Sequence, residues 1–499
     1  MRVLLVKPSS HFPTLIPHLG LGYLATALRQ GKHTPIIADC TRERINNRGL
    51  VRLAQESAAE VIGISMFSAD FPVVADLIPQ LRQALPDTRL ILGGPHPTAL
   101  PSDTLRQLPE VDYVLAGEAE RSLPMLLDQL ASGPVDGQSI PGLAWRESGQ
   151  IRTSLPRWET DLDSLGFPAW DLLAPELYQI APHGAFVRQM PVAPIITTRG
   201  CPYPCTFCAA RVISGIPLRA RSIGHVLDEI ELLVRHHGIR EIHIEDDNFT
   251  ARRKYVLDFC EGVSRRFPGL SWCCPNGVRL DTLDTELLTA MRRSGCYSLS
   301  LGIESGCDPV LKTIQKKLET AQVREKVELI HRSGLKTTGF FIIGLPDESE
   351  EQIRETVRFA RSLPLDHAQF SVFLPLPGTA HFDSYVRKVG LETVPWKDFY
   401  TTEPVQWPGG IPIARLRQLQ RSAFFAFYFR PRVLLNILRK LRGPRHFWHL
   451  VRRALAIFKP MNAVRRSVRA LPSRALPSED TKAILSQAEE PTAPSGVNR

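Results

Sequence analysis

No run of 18 apolar residues occurs anywhere in the 499-residue chain, so no segment reads as a membrane-spanning helix. The opening residues Met1-Arg2-Val3-Leu4-Leu5-Val6-Lys7-Pro8 hold too short an apolar run for a secretory signal. Cysteine is not spread as a disulfide framework: of nine, three crowd into one loop. These absences lead us to expect a cytoplasmic protein kept in reducing conditions. Acidic residues are missing from residues 404–478, where 16 Lys and Arg lie. Residues 1–403 hold 43 basic and 47 acidic groups, a net of −4, so the formal charge of +10 belongs to the C-terminal segment. No recognisable nucleic-acid motif accompanies that charge, and we expect no nucleic-acid partner.

What is present begins with Cys201-Pro202-Tyr203-Pro204-Cys205-Thr206-Phe207-Cys208, directly after a strand-like run. Thiolates are the usual ligands of iron–sulfur clusters. Three on one loop can hold three irons of a four-iron cluster and leave the fourth open to chemistry. The alternatives to a cluster, on the loop alone, are a zinc site lacking its fourth ligand, or three buried thiols.

Residues 1–146 alternate between short apolar runs (3–6, 36–39, 61–65, 89–93, 113–116 and 142–145) and helix-length segments, which predicts a doubly wound, Rossmann-like parallel α/β sheet. Ligands of such sheets sit beyond the carboxyl ends of the strands. There the sequence places Ser65, then Gly93, Gly94, His96 and Thr98, then Gly117 and Glu118: glycines for close approach and polar groups for hydrogen bonds. By themselves these loops suit a nucleotide, a flavin or a cobalamin. Residues 147–192, with five prolines, read as a linker.

From residue 193 the alternation restarts. Six strand-like runs (195–198, 241–244, 271–274, 298–303, 338–343 and 369–373) alternate with helices to about residue 400, predicting a partial (β/α)6 barrel of the TIM type. Active groups of such barrels lie at the carboxyl ends of the strands. Those ends carry the cysteine loop, then Glu245-Asp246-Asp247-Asn248, then Glu304-Ser305-Gly306, then Gly344-Leu345-Pro346.

The order Leu19-Gly20-Leu21-Gly22-Tyr23, Val61-Ile62-Gly63-Ile64-Ser65, Gly93-Gly94-Pro95-His96 and Gly117-Glu118, followed by Cys-x3-Cys-x2-Cys after a first barrel strand, resembles the cobalamin-dependent (B12-binding) radical-SAM superfamily. The resemblance covers residues 1 to about 400. It implies that Cys201, Cys205 and Cys208 ligate a [4Fe-4S] cluster, and that Phe207, Asp246, Asp247, Asn248, Glu304, Ser305 and Gly344 contact S-adenosylmethionine (SAM). It further implies that Ser65, Gly93, Gly94, His96, Thr98, Gly117 and Glu118 line a cobalamin site. Two departures stand out. The Asp-x-His-x-x-Gly element that supplies a lower cobalt ligand is absent, and the two glycines before the acidic run at 246–248 are missing. His11, His18 and His96 read as polar loop residues. Arg279 reads either as a carboxylate contact or as a salt bridge.

The implied chemistry is reductive cleavage of SAM to a 5′-deoxyadenosyl radical, hydrogen abstraction from an unreactive carbon, and C-methyl transfer. The alternative with the same cofactors is cyclisation, rearrangement or oxidation; an iron–sulfur sensor ranks below both, because mere electron storage needs no SAM site. A one-electron reductant such as flavodoxin or ferredoxin is implied as a partner.

Residues 401–470 read as a basic helical segment. Within it, residues 445–458 repeat apolar groups at helical spacing with basic groups opposite. This pattern suits peripheral contact with an anionic inner membrane face and a lipid-like substrate. Its alternative is packing of the apolar faces on the barrel. Residues 471–499 read as a disordered tail.

Overall fold

The computed structural model describes residues 1–10, 16–178, 187–400 and 403–431. The first sheet has the strand order β2-β1-β3-β4-β5-β6-β7, formed by β1 (Arg2–Lys7), β2 (Thr34–Asp39), β3 (Val61–Ser65), β4 (Arg89–Gly93), β5 (Tyr113–Leu115), β6 (Leu143–Glu147) and β7 (Gln150–Thr153). β1 to β5 run parallel, while β6 and β7 are antiparallel additions at one edge. Unbroken runs such as Val3-Leu4-Leu5-Val6 and Leu90-Ile91-Leu92 are buried on both faces, as a parallel sheet requires. β7 was not foreseen and carries the sheet past the boundary read at residue 146. The hairpin turns at Ser148 and Gly149, both at positive φ, which suits a tight two-residue connection.

The segment after β7, read as a linker between the two units, is largely buried where it joins them. Leu162, Leu165, Trp170, Leu172, Leu173 and Tyr178 are all buried. Thr26 donates to the carbonyl of Phe167, and Trp170 Nε1 donates to Glu229, so this stretch is tied to a helix of each unit.

The second sheet is parallel throughout, β15-β14-β13-β12-β11-β8, from β8 (Val192–Ile195), β11 (Glu241–Ile244), β12 (Ser271–Val278), β13 (Cys296–Glu304), β14 (Lys336–Ile343) and β15 (His367–Val372). Six strands in sequential order with intervening helices form the open barrel anticipated from the pattern. The start differs: β8 ends at Ile195, and Thr198–Arg199 form β9, which pairs antiparallel with β10 (Arg219–Ala220). The cysteine loop therefore hangs between two strands of a small ribbon.

The chain then returns to the first unit. Phe382, Tyr385, Trp396, Phe399 and Val405 share a core with Leu4, Ile62 and Leu77. Helix Ile413–Tyr428 buries Leu416, Leu419, Ala423 and Phe427 against the barrel, so packing on the barrel describes this part of the basic segment. Residues 445–458 and the tail lie outside the described residues. No described helix is long and apolar enough to cross a membrane.

Candidate active site between the two sheets

The three thiols are free, with Cys201 and Cys205 half-buried and Cys208 exposed. Gly200 opens the loop at φ +91°, and a Cβ there would lie 2.4 Å from the carbonyl oxygen of Pro217, so only glycine fits. The Cys201 amide donates to the carbonyl of Gly215 (3.1 Å), and the Thr206 amide to that of Ile314 (3.1 Å). The Arg279 guanidinium lies 3.8 Å from the Tyr203 ring centroid and is held by Asp281 and by the carbonyl of Lys316. Of its two readings, Arg279 takes the salt bridge, with stacking that steadies the loop. Desolvation raises the thiol of half-buried Cys201. Bare, it is a neutral thiol; a bound cation is what makes thiolates of such groups. Three unpaired thiols on a braced loop fit a cluster of the expected kind.

The expected SAM contacts divide. Asp246 is buried, and its two oxygens accept from both the amide and the hydroxyl of Thr197 and of Thr198, at 2.6 to 3.0 Å. Its assignment as a ligand contact is corrected: four protein donors occupy the carboxylate, which fixes the turn leading into β9. Ser305 is also corrected. Its hydroxyl is fully buried, paired with Thr356 Oγ1 and accepting from the Cys307 amide, and so is spent inside the fold. Asp247 borders the interdomain cavity described below, and Asn248 is buried with its Nδ2 lacking a partner among the described residues. Glu304, at φ +70°, pairs with Lys316 (2.8 Å), whose ammonium lies 6.0 Å from the Phe207 ring centroid. Gly344, at φ +76°, donates to Glu348 (2.6 Å) and is backed by Leu416.

Glu348 is buried and accepts from the amides of Gly344 and Leu345, yet its Oε1 has no partner among the described residues. Burial pushes its carboxyl up to about 7. A carboxyl raised in the folded state stabilises most below its unfolded value near 4.5, and that stability is lost as pH rises through about 7. Glu348→Gln should therefore flatten the pH dependence of urea unfolding between pH 5 and 8, by at most about 3 kcal/mol across the window. Parallel wild-type and variant curves would refute the assignment.

Where the carboxyl ends of the first sheet face β9 and the start of the barrel lies a cavity of about 360 Å³. Ser65, Gly93, Gly94, Gly117 and Glu118 line one side, and Thr198, Arg199, Ser214, Glu245 and Asp247 the other. Gly94 (φ +93°) could not carry a side chain, because its Cβ would come 2.8 Å from the amide nitrogen of Met66 and from Ser65 Oγ. A glycine-lined, mainly apolar cleft with a polar rim fits the flat face of a large organic cofactor.

Two expected members are not in that lining. The His96 ring packs edge-on against Trp396 (4.8 Å) and bonds Ser68, because a C-terminal segment covers it. Thr98 Oγ1 accepts from the Gly117 amide and thereby shapes the loop from behind. His18 does line the cavity, but its Nδ1 accepts from the Leu21 amide, and burial next to Lys7 lowers its pKa to about 4. A neutral ring accepting at Nδ1 carries its hydrogen on Nε2, leaving no lone pair there for a metal. His11 lies outside the described residues. The absence of a lower-ligand motif and the chemistry of His18 and His96 therefore agree.

Sequence reasoning missed an ionic seam. Arg199 meets Glu120 (2.8 Å) and Glu118 (3.3 Å), and Arg219 meets Glu118 (2.7 Å). Buried Arg221 pairs with Glu229 and donates to Tyr23 Oη. The position of Arg199, two residues before Cys201, was the available signal. A second buried group, Glu241, His243 and Cys273, sits at the opposite strand ends. There Glu241 already accepts from Tyr297 Oη and two backbone amides and bonds His243, which marks a brace for residues 188–189.

Comparison with known proteins matches the Radical SAM superfamily model over residues 195–360 and the B12 binding domain model over residues 9–127. An uncharacterized methyltransferase of Pyrococcus horikoshii is 30% identical over 446 residues, covering 87% of this chain and 94% of that protein. The chain belongs to the cobalamin-dependent radical-SAM superfamily. The cytidylyl-2-hydroxyethylphosphonate methyltransferase of Streptomyces wedmorensis is also 30% identical over 446 residues, 78% of this chain and 82% of its own. Among solved structures, the cobalamin-dependent S-adenosylmethionine radical enzyme OxsB, with aqua-cobalamin and S-adenosylmethionine bound, superposes with a TM-score of 0.70 at 15% identity. The superposition covers 98% of this chain and 78% of that one, a likeness of fold.

Proposed function

We propose that this radical-SAM enzyme is a cobalamin-dependent methyltransferase acting on an unactivated carbon of a small molecule. The observation that carries the reading is the shared chamber: the glycine-lined strand ends of the B12-binding sheet and the residues flanking the cysteine loop line one cavity. The methyltransferase names of two relatives that match most of the chain support the reaction class. In this reading Cys201, Cys205 and Cys208 hold the [4Fe-4S] cluster. Asp247, Asn248, Glu304 and Gly344, beside Phe207, receive SAM, and Ser65, Gly93, Gly94, Gly117 and Glu118 receive cobalamin. When bound, the cluster supplies the electron that cleaves SAM to the 5′-deoxyadenosyl radical, and cobalamin supplies the methyl group. The chain's own share is placement and exclusion of water. Gly200 and Arg279 fix the thiol loop, the Glu304–Lys316 pair offers adjoining acceptor and donor groups for hydroxyls, and the buried linker closes the junction.

Anaerobic reconstitution with iron, sulfide, cobalamin, SAM and a flavodoxin or ferredoxin reductant tests this, with mass spectrometry of candidate substrates. Methylated product together with 5′-deoxyadenosine is expected. 5′-Deoxyadenosine with a product that gains no methyl would instead establish the cyclising or oxidising reading.

A lipid-like substrate at a membrane surface is the finer proposal. Phe425, in the last turn of helix Ile413–Tyr428, and Phe429, just past its end, stand exposed, 38% and 66%, with ring centroids 5.4 Å apart within the basic segment. Apolar rings beside a purely basic stretch suit an anionic bilayer. Replacing both by serine should weaken sedimentation with anionic vesicles roughly tenfold or more; undiminished sedimentation would end the proposal.

A further inference from the structure

We propose that Arg199 is a positioning residue that locks the cysteine loop to the B12-binding sheet, so that filling the interdomain cavity sets the placement of the cluster thiols. The proposal rests on the cofactor reading above.

Arg199 ends β9, two residues before Cys201, and its side chain is only 12% exposed. Its partners all come from the first unit. One nitrogen lies 2.8 Å from Glu120, another 3.3 Å from Glu118, and the guanidinium sits 4.9 Å from the Tyr23 ring centroid. The register of the ribbon places Arg219 of β10 directly opposite Arg199, and Arg219 also closes on Glu118, at 2.7 Å. The cysteine loop leaves the ribbon at Arg199 and the chain re-enters it at Arg219. The first unit therefore grips both ends of the segment that carries the three thiols.

Two further contacts tighten the grip. Arg219 donates to the carbonyl of Ser214, and the next residue, Gly215, accepts from the Cys201 amide. Trp158 packs against Gly215 and Gly117 at once, with a Cβ on either glycine falling 3.1 to 3.4 Å from its ring. A latch that only held two domains together could lie anywhere along their interface. This one lies against the thiol loop, and Tyr23, Gly117, Glu118, Glu120 and Arg199 themselves line the cavity. A molecule bound there touches the latch directly. Two arginines and two carboxylates balance in charge, and their burial leaves little screening, so a small displacement of either carboxylate moves the arginines with it.

The test uses the full chain, reconstituted with its cluster, and hydroxocobalamin as the probe. In the wild type, cobalamin should change the electron paramagnetic resonance signal or midpoint potential of the reduced cluster. Arg199→Lys keeps the charge but loses the planar fork that meets two carboxylates. Measured at cobalamin concentrations that saturate it, that variant should retain full iron and sulfide content yet lose the cobalamin-dependent change. It should also release on the order of tenfold more 5′-deoxyadenosine per methyl transferred, as misplacement of reacting groups does. Tyr23→Leu, which removes the stacking face and no charge, should move the same readouts in the same direction and serves should Arg199→Lys fail to fold. A cobalamin-dependent signal that survives in the variant would overturn the proposal. Uptake of cobalamin by the wild type with no change in the cluster signal would overturn it alone. No uptake by the wild type would overturn the cofactor reading, and this proposal with it.

Discussion

Replacing Cys205 by alanine should abolish 5′-deoxyadenosine formation while leaving the fold intact. The thiol is half-buried on a loop that other atoms hold: Gly200 through its positive φ, the Cys201 amide through Gly215, and Tyr203 through Arg279. Its removal empties no core, so unfolding free energy should change by no more than about 0.5 kcal/mol. The other six cysteines are buried. Loss of one ligand should lower iron content and cut 5′-deoxyadenosine formation by more than about 10³-fold, equivalent to about 4 kcal/mol of barrier. Full iron content with undiminished 5′-deoxyadenosine would overturn the site. Cys307→Ala is the control. That thiol lies in an apolar cluster with Val310 and Leu345, and SAM cleavage should continue without it.

The second large effect is on stability. Glu229→Leu should lower unfolding free energy by about 3–5 kcal/mol, measured by urea denaturation, because it strands a buried guanidinium. Arg221 is 2% exposed and Glu229 is fully buried. Glu229 also accepts from Trp170 of the connecting segment, and Arg221 reaches Tyr23 of the first unit. Three parts of the chain meet at this pair. Removing both charges, Arg221→Leu with Glu229→Leu, should cost clearly less than the sum of the single losses, since no unpaired charge remains. Additive losses would mean that the two side chains act independently.

Much of the architecture was legible because it is local. Alternating apolar runs and helical stretches mark βα units wherever they occur, and the parallel pairing of β1 to β5 and of the second sheet followed from that alternation, whereas β6, read with them, runs antiparallel. Irregular parts were less so. β7 is a short, mostly exposed strand with no apolar signature, and Thr198–Arg199 left the first barrel strand because Asp246, nearly 50 residues on, draws both threonines into a turn.

At the site, the same distinction holds residue by residue. A strand-end carboxylate looks alike in sequence whether it faces a ligand or braces a backbone. Asp246 proved saturated by Thr197 and Thr198, whereas Asp247, its neighbour, borders the cavity. His96 follows two glycines as a ligand-contacting residue would, but Trp396, 300 residues away, covers its ring.

The sequence by itself determined the three thiols and their spacing, since a loop of eight residues keeps them together in any fold. It also determined the glycines beyond the strands, of which Gly94 and Gly117 take positive φ and leave no room for a Cβ. Only the tertiary structure decided which polar groups face the cavity and which are spent inside. It alone joined Arg199 to Glu118, Glu120 and Tyr23. Hydrogen bonds and ion pairs form between whatever the folded chain brings within about 3 Å, and that proximity is set by packing rather than by position along the chain.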